Sequence, residues 1–219
     1  MEEQEKKPRP RPRIESLSDL IFGLALSIGA FALVSNPPTT DAELYRDIVT
    51  FSFNFVILIS IWIRYTRIMS ALPITNARIV MLNTILLFTV SIEPFLFNIL
   101  RLSNSSTPAL DRLLEAASSL YGIDLGALML IMAFFTLALA DEEKQLVPKD
   151  MIHQLRVEAA TWLVAAGIFL ASAVPLFGKI DIAGVLTYGL SIRIMMWLIA
   201  VVVIWASRSA RNSVEDPPV

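Results

Sequence analysis

The chain of 219 residues is 55% hydrophobic and only 17% charged, with a formal net charge of −2, whereas soluble domains carry about 25% charged residues. It has no cysteine and a single histidine, His153, which excludes disulfides, thiolate metal centres and a His-rich zinc or iron site, so no cofactor is expected. No basic face is present beyond a short N-terminal stretch, so nucleic acid is not expected as a partner.

That stretch, Lys6 to Arg13, belongs to a basic leader over 1–15 and reads as a positive-inside anchor able to touch anionic lipid. A bilayer core about 30 Å thick is crossed by roughly 20 apolar residues in a helix. Six runs of the sequence meet or approach that length: 17–34, 48–63, 79–100, 120–140, 159–177 and 182–206. The links between them carry turn chemistry. Asn36-Pro37-Pro38 ends the first run, because proline cannot continue a helix. Ser103 to Pro108 separates the third and fourth, with a short surface helix expected over 111–115. Asp141-Glu142-Glu143-Lys144 and Pro148 part the fourth from the fifth, a loop that is expected to hold His153, and Phe177-Gly178-Lys179 is expected as a tight turn before the sixth. Backbone in lipid needs internal hydrogen bonds, so the spans are helices. The expected architecture is an all-α integral membrane domain of six helices over 16–207, followed by a cytoplasmic tail over 208–219.

Placing the N-terminus inside puts thirteen lysines and arginines on the cytoplasmic side and four on the other, so both termini are expected in the cytoplasm of a multi-pass plasma-membrane protein. Trp62, Trp162 and Trp205 fall near the inner helix ends, as an interfacial belt would, and Trp197 is deep enough to pack between helices.

The first span holds the densest information. Leu20, Leu24, Ser27 and Phe31 recur at i, i+4, i+7 and i+11, one face of a helix, beside a small-residue face of Gly23, Ser27 and Ala30. Taken alone, this pattern favours close helix packing. Asp19 sits near the start of the span. Ser16-x-x-Asp19 has the spacing of a capping box, and Arg13 is near enough to pair with Asp19, so a structural role is preferred to direct chemistry.

Arg193 interrupts the sixth run and requires protein or water around it. Its candidate partners are Glu93 of the third run and Asp124 of the fourth, which would form an intramembrane ion pair. Asn54 and Asn83 are placed to hydrogen-bond across helices. Thr187-Tyr188-Gly189 is too short, and too embedded in an apolar run, to be a carbonyl-lined filter. There is no paired-carboxylate motif, nucleophile beside a histidine or phosphate loop, so an enzyme is not expected.

Arg13-x-x-x-Leu17-Ser18-Asp19 resembles the Arg-x-x-x-Phe-Ser-Asp signature of the transmembrane protein 175 potassium channels, in their short prokaryotic branch. Ser52-Phe53, Trp62, Asn83 and Pro94-Phe95 are similar to further motif positions on that family's second and third helices. Leu17 replaces the motif phenylalanine, and Arg64-Tyr65-Thr66 stands where the family has histidines. The resemblance implies a homotetramer whose first helices surround a central pore. Leu20, Leu24 and Phe31 would line it and Ser27 would supply a hydroxyl ring, while Arg13, Ser18, Asp19, Trp62 and Asn83 would hold the helix in place. The implied function is a cation channel that prefers potassium and passes other monovalent cations, with a hydrophobic constriction instead of a carbonyl filter. The alternative is a small cation- or proton-coupled secondary transporter built around Arg193 and the two intramembrane acids.

Overall fold

A span in lipid has no water to satisfy its amides, and every described apolar span is a helix. The computed structural model describes residues 13–35, 37–72, 76–100, 107–179 and 192–215. In chain order the helices are α1 (Arg13–Ser35), α2 (Asp41–Ala71), α3 (Ala77–Leu100), α4 (Pro108–Leu139), a 3-10 turn (Glu142–Lys144), α5 (Lys149–Ser172), α6 (Pro175–Lys179) and α7 (Ile192–Glu215). Among the described residues, α1 through α5 contain stretches long and apolar enough to cross a membrane. The sixth expected span is described only from Ile192, where Ile192–Ser207 is apolar; Thr187-Tyr188-Gly189 lies outside the described residues.

The helix starts follow from local chemistry. The Thr40 hydroxyl accepts from the Glu43 amide at 3.2 Å, and the Glu43 carboxylate accepts from the Thr39 amide at 2.8 Å, so each side chain satisfies a donor at the head of α2. At α4 the Thr107 side chain caps the Leu110 amide, and Pro108 occupies the first turn, where its missing N–H costs nothing. The expected short helix over 111–115 is not separate: it is the head of the 32-residue α4. Nothing between Leu110 and Leu120 breaks a helix, and the polarity there marks an end of the span and not a turn. Likewise the turn expected at Phe177-Gly178-Lys179 falls in the short helix α6, and His153 stands exposed on α5 instead of in a loop. In the α4–α5 link, the Lys144 ammonium beside Asp141 holds that carboxyl below the usual carboxylate range.

Helix α4 is the hub, packing on α5, α3, α2 and α6, while α7 lies against α5 and α6. Gly122 and Gly126 explain how α4 and α5 come so close. A Cβ on Gly122 would stand 2.9 Å from the Ser172 hydroxyl, and one on Gly126 would stand 2.7 Å from Leu170 Cγ. This is small-xxx-small packing, in which bare backbone admits the neighbouring helix. Trp197 of α7 fills the junction: its indole donates to Ser172 Oγ at 2.8 Å, and its ring lies 5.0 Å from Tyr121 and 6.5 Å from Phe53. Trp162, expected at an interface, is buried and donates to Glu158, leaving Trp205 exposed.

Candidate functional site: the unpartnered face of helix α1

Helix α1 packs on α3 and α2 at the edge of the helical bundle. Its buried side is narrow and mostly small: Ser18, Phe22, Ala25, Gly29 and Ala32, at alternating steps of four and three. The same periodicity leaves the other side uncovered. Leu20 is 66% exposed, Leu24 56% and Phe31 69%, and Ser27 is exposed between them. The stripe read from the sequence therefore does not pack within the bundle. It is a continuous apolar face interrupted by one hydroxyl. Gly23, beside Leu24, has open space where a Cβ would stand.

The Ser27 hydroxyl donates to the Gly23 carbonyl at 2.7 Å. This back-bond uses the hydroxyl's only hydrogen, so what Ser27 offers to the outside is oxygen lone pairs. Such an oxygen attracts cations and not anions.

The polar head of α1 is held by contacts to two other helices. Trp62 Nε1 of α2 donates to Asp19 Oδ1 at 3.0 Å. The Tyr65 hydroxyl, also of α2, donates to Asn83 Oδ1 of α3 at 2.6 Å and lies 2.6 Å from Ser18 Oγ, whose own hydroxyl completes the pair. Phe22 packs on the Tyr65 ring at 5.6 Å. Ser18, Asn83 and Tyr65 are all buried, so the hydroxyl satisfies atoms that water does not reach. Ser18, Asp19, Trp62 and Asn83 are thus brought together around the head of α1; the side chain of Arg13 lies outside the described residues. The capping box does not form. The helix already includes Arg13, so Ser16 stands inside it, and Asp19 turns to the indole of Trp62.

Tyr65 was not singled out in the sequence. Its signal was available: it stands three residues after Trp62, on the same face of α2. Beside it, Arg64 pairs with the buried Glu158 of α5, tying α2 to the far side of the bundle.

The expected ion pair of Arg193 with Glu93 or Asp124 is not formed. Arg193 is 2% exposed and pairs with Glu115 of α4 at 2.8 Å. It also contacts Ser118 Oγ and donates to the Ser172 and Val174 carbonyls at 2.8 and 3.2 Å. Those carbonyls are at the C-terminal end of α5, where a cation complements the helix dipole and the unpaired acceptors. Nothing in the sequence marks the depth of Arg193, and the apolar run around it points to mid-membrane. In the structure it stands level with the end of α5 and out of reach of the two acids. Glu93 instead accepts from Asn54 Nδ2 at 3.0 Å, and Asn54 Oδ1 accepts from the Tyr121 hydroxyl at 3.2 Å.

Comparison with known proteins follows the same lines. Residues 13–94 match the family model described as endosomal/lysosomal potassium channel TMEM175. No curated protein matches the chain. The fold is similar to the crystal structure of a lysosomal potassium-selective channel TMEM175 homolog from Chamaesiphon minutus, with 17% identity, a TM-score of 0.57, and coverage of 89% of this chain and 96% of that one. The matched stretch takes in the α1 motif and the residues of α2 and α3 that hold it, so over residues 13–94 the chain is similar to the TMEM175 family.

Proposed function

We propose that the protein is a potassium-preferring cation channel, a homotetramer in which the α1 helices of the subunits surround one pore. The observation that carries this is the α1 face: Leu20, Leu24, Ser27 and Phe31 are left uncovered by the subunit on the helix that bears the family motif. Around an axis, Leu24 makes an apolar ring that opens and closes by wetting and dewetting, and Ser27 makes a ring of lone pairs that replaces part of a cation's hydration shell. No carbonyl-lined filter is invoked. Supporting this reading, the structural relative is a homolog of the lysosomal potassium-selective channel TMEM175, and the lysine and arginine bias favours an orientation with both termini in the cytoplasm. The transporter alternative drew on Arg193 sharing charge with Glu93 or Asp124, and Arg193 is committed to Glu115.

The test is potassium flux into liposomes containing the purified protein. Wild type conducts potassium, and Leu24→Ala, which removes the isobutyl groups of the constriction, raises the flux severalfold. Absence of flux from both proteins overturns the channel reading.

A further inference from the structure

Among the described residues, two carboxylates lie inside the bundle with no ion-pair partner. Glu93 of α3 is fully buried and Asp124 of α4 is 8% exposed. Asn54 of α2 donates to one oxygen of Glu93, but Glu93 Oε1 and Asp124 Oδ2 are both buried with no hydrogen-bond partner. The two acids share one polar cluster. Tyr121, one turn before Asp124 on the same face of α4, hydrogen-bonds the Asn54 that holds Glu93.

Among the described residues, the groups that face the cluster are Asn54 from α2, Glu93 from α3, and Tyr121 and Asp124 from α4, with the tilted ring of Trp197 of α7 packed against Tyr121. None carries positive charge. Of the described arginines within the bundle, Arg193 is paired with Glu115 and Arg64 with Glu158. A lone ionised carboxylate at the centre of a membrane helix costs about 3 kcal/mol, and two together add mutual repulsion. A carboxylate oxygen in such a place needs a cation on it. The two free oxygens are too few to replace the shell of a dehydrated alkali ion, which takes about six oxygens, but either suffices for a proton.

We propose that Glu93 and Asp124 form a proton-binding site within each subunit, separate from the α1 face, at which at least one carboxyl is held neutral at pH 7. Protonation of one carboxyl relieves the repulsion between the two acids without disturbing the hydrogen bonds from Asn54 to Glu93 and from Tyr121 to Asn54. Loss of the proton places like charges at the junction of α2, α3 and α4. The site does not depend on the channel reading, since its existence is read from the carboxyl groups and not from flux.

Infrared spectroscopy of the protein in nanodiscs tests it. At pH 7 wild type shows the C=O stretch of a protonated carboxylic acid, and alkaline titration removes the band reversibly with the helical circular dichroism unchanged. Glu93→Gln or Asp124→Asn loses or halves the band. A wild type with no such band overturns the site without recourse to any variant. So does a band that survives unchanged in both variants. Thermal unfolding gives a second reading: the wild-type midpoint falls as pH rises from about 4, where unfolded carboxyls ionise, and levels off once the buried pair itself ionises, and the double variant Glu93→Gln/Asp124→Asn loses that slope. Equal slopes in the two proteins count against the proposal.

Discussion

Tyr65 bears more of the α1 geometry than any other single side chain. Its hydroxyl joins Asn83 of α3 to Ser18 of α1, and its ring packs on Phe22. Tyr65→Phe keeps the ring and deletes the donor, so Asn83 Oδ1 is left buried without it. Such a loss costs about 1–3 kcal/mol, and the unfolding midpoint in detergent falls accordingly. Asn83→Leu in the same background restores part of it, because the stranded acceptor is then gone. Residue-scale contacts of this kind were only half legible. A motif states which residue types recur, and it named Ser18, Asp19, Trp62 and Asn83. It does not state which neighbour's hydroxyl completes the network. Tyr65 could substitute for a different polar residue because the requirement is a donor at one point in space and not a particular ring. Arg193 was misread for the complementary reason. Sequence identifies a charge that needs a partner, but the choice among Glu93, Asp124 and Glu115 depends on how far each helix slides along its neighbour.

At the scale of elements, α4 shows how small residues set helix position. Gly122 and Gly126 bring its backbone against the end of α5, with Leu170 and Ser172 filling the space that side chains would need. Gly126→Leu puts a branched side chain where Leu170 already lies 2.7 Å from an added Cβ. Overpacking of this kind costs about 1–3 kcal/mol. The expected result is a lower unfolding midpoint and a larger disturbance of Trp197, read by its fluorescence, since Trp197 rests on Ser172. Gly167→Leu on α5, where nothing lies within 4 Å of a Cβ, leaves both readings near wild type. The spacing Gly122-x-x-x-Gly126 within an apolar run was a readable sign of this contact. Most span positions were readable as well, because hydropathy over about 20 residues is a bulk property. Helix ends were less so: α2 and α4 extend beyond their apolar cores to Asp41 and Pro108, where capping side chains and not hydropathy decide.

For the molecule as a whole, the question is what covers α1. A span that packs on two neighbours along a narrow, small-residue side presents most of its surface to lipid or to other subunits. Lipid and a pore place different demands on that surface. Lipid accepts Leu20, Leu24 and Phe31 anywhere around the helix, whereas a shared axis requires corresponding residues of different subunits to face one another. The absence of cysteine makes the two arrangements separable, because a single introduced thiol is the only one in the chain. Phe31→Cys, on the uncovered face, is expected to form a disulfide-linked dimer under mild oxidation in membranes, as two subunits meet across the axis. Met81→Cys on α3, also exposed, remains monomeric under the same treatment. A bulky, water-soluble thiol reagent applied to reduced Phe31→Cys blocks potassium flux if the face is wet, and leaves flux unchanged if it is buried in acyl chains. Cross-linking with block identifies α1 as the lining of a central pore. Flux that persists without either result requires the ion to pass elsewhere, because a face sealed in lipid offers cations neither water nor the Ser27 oxygens.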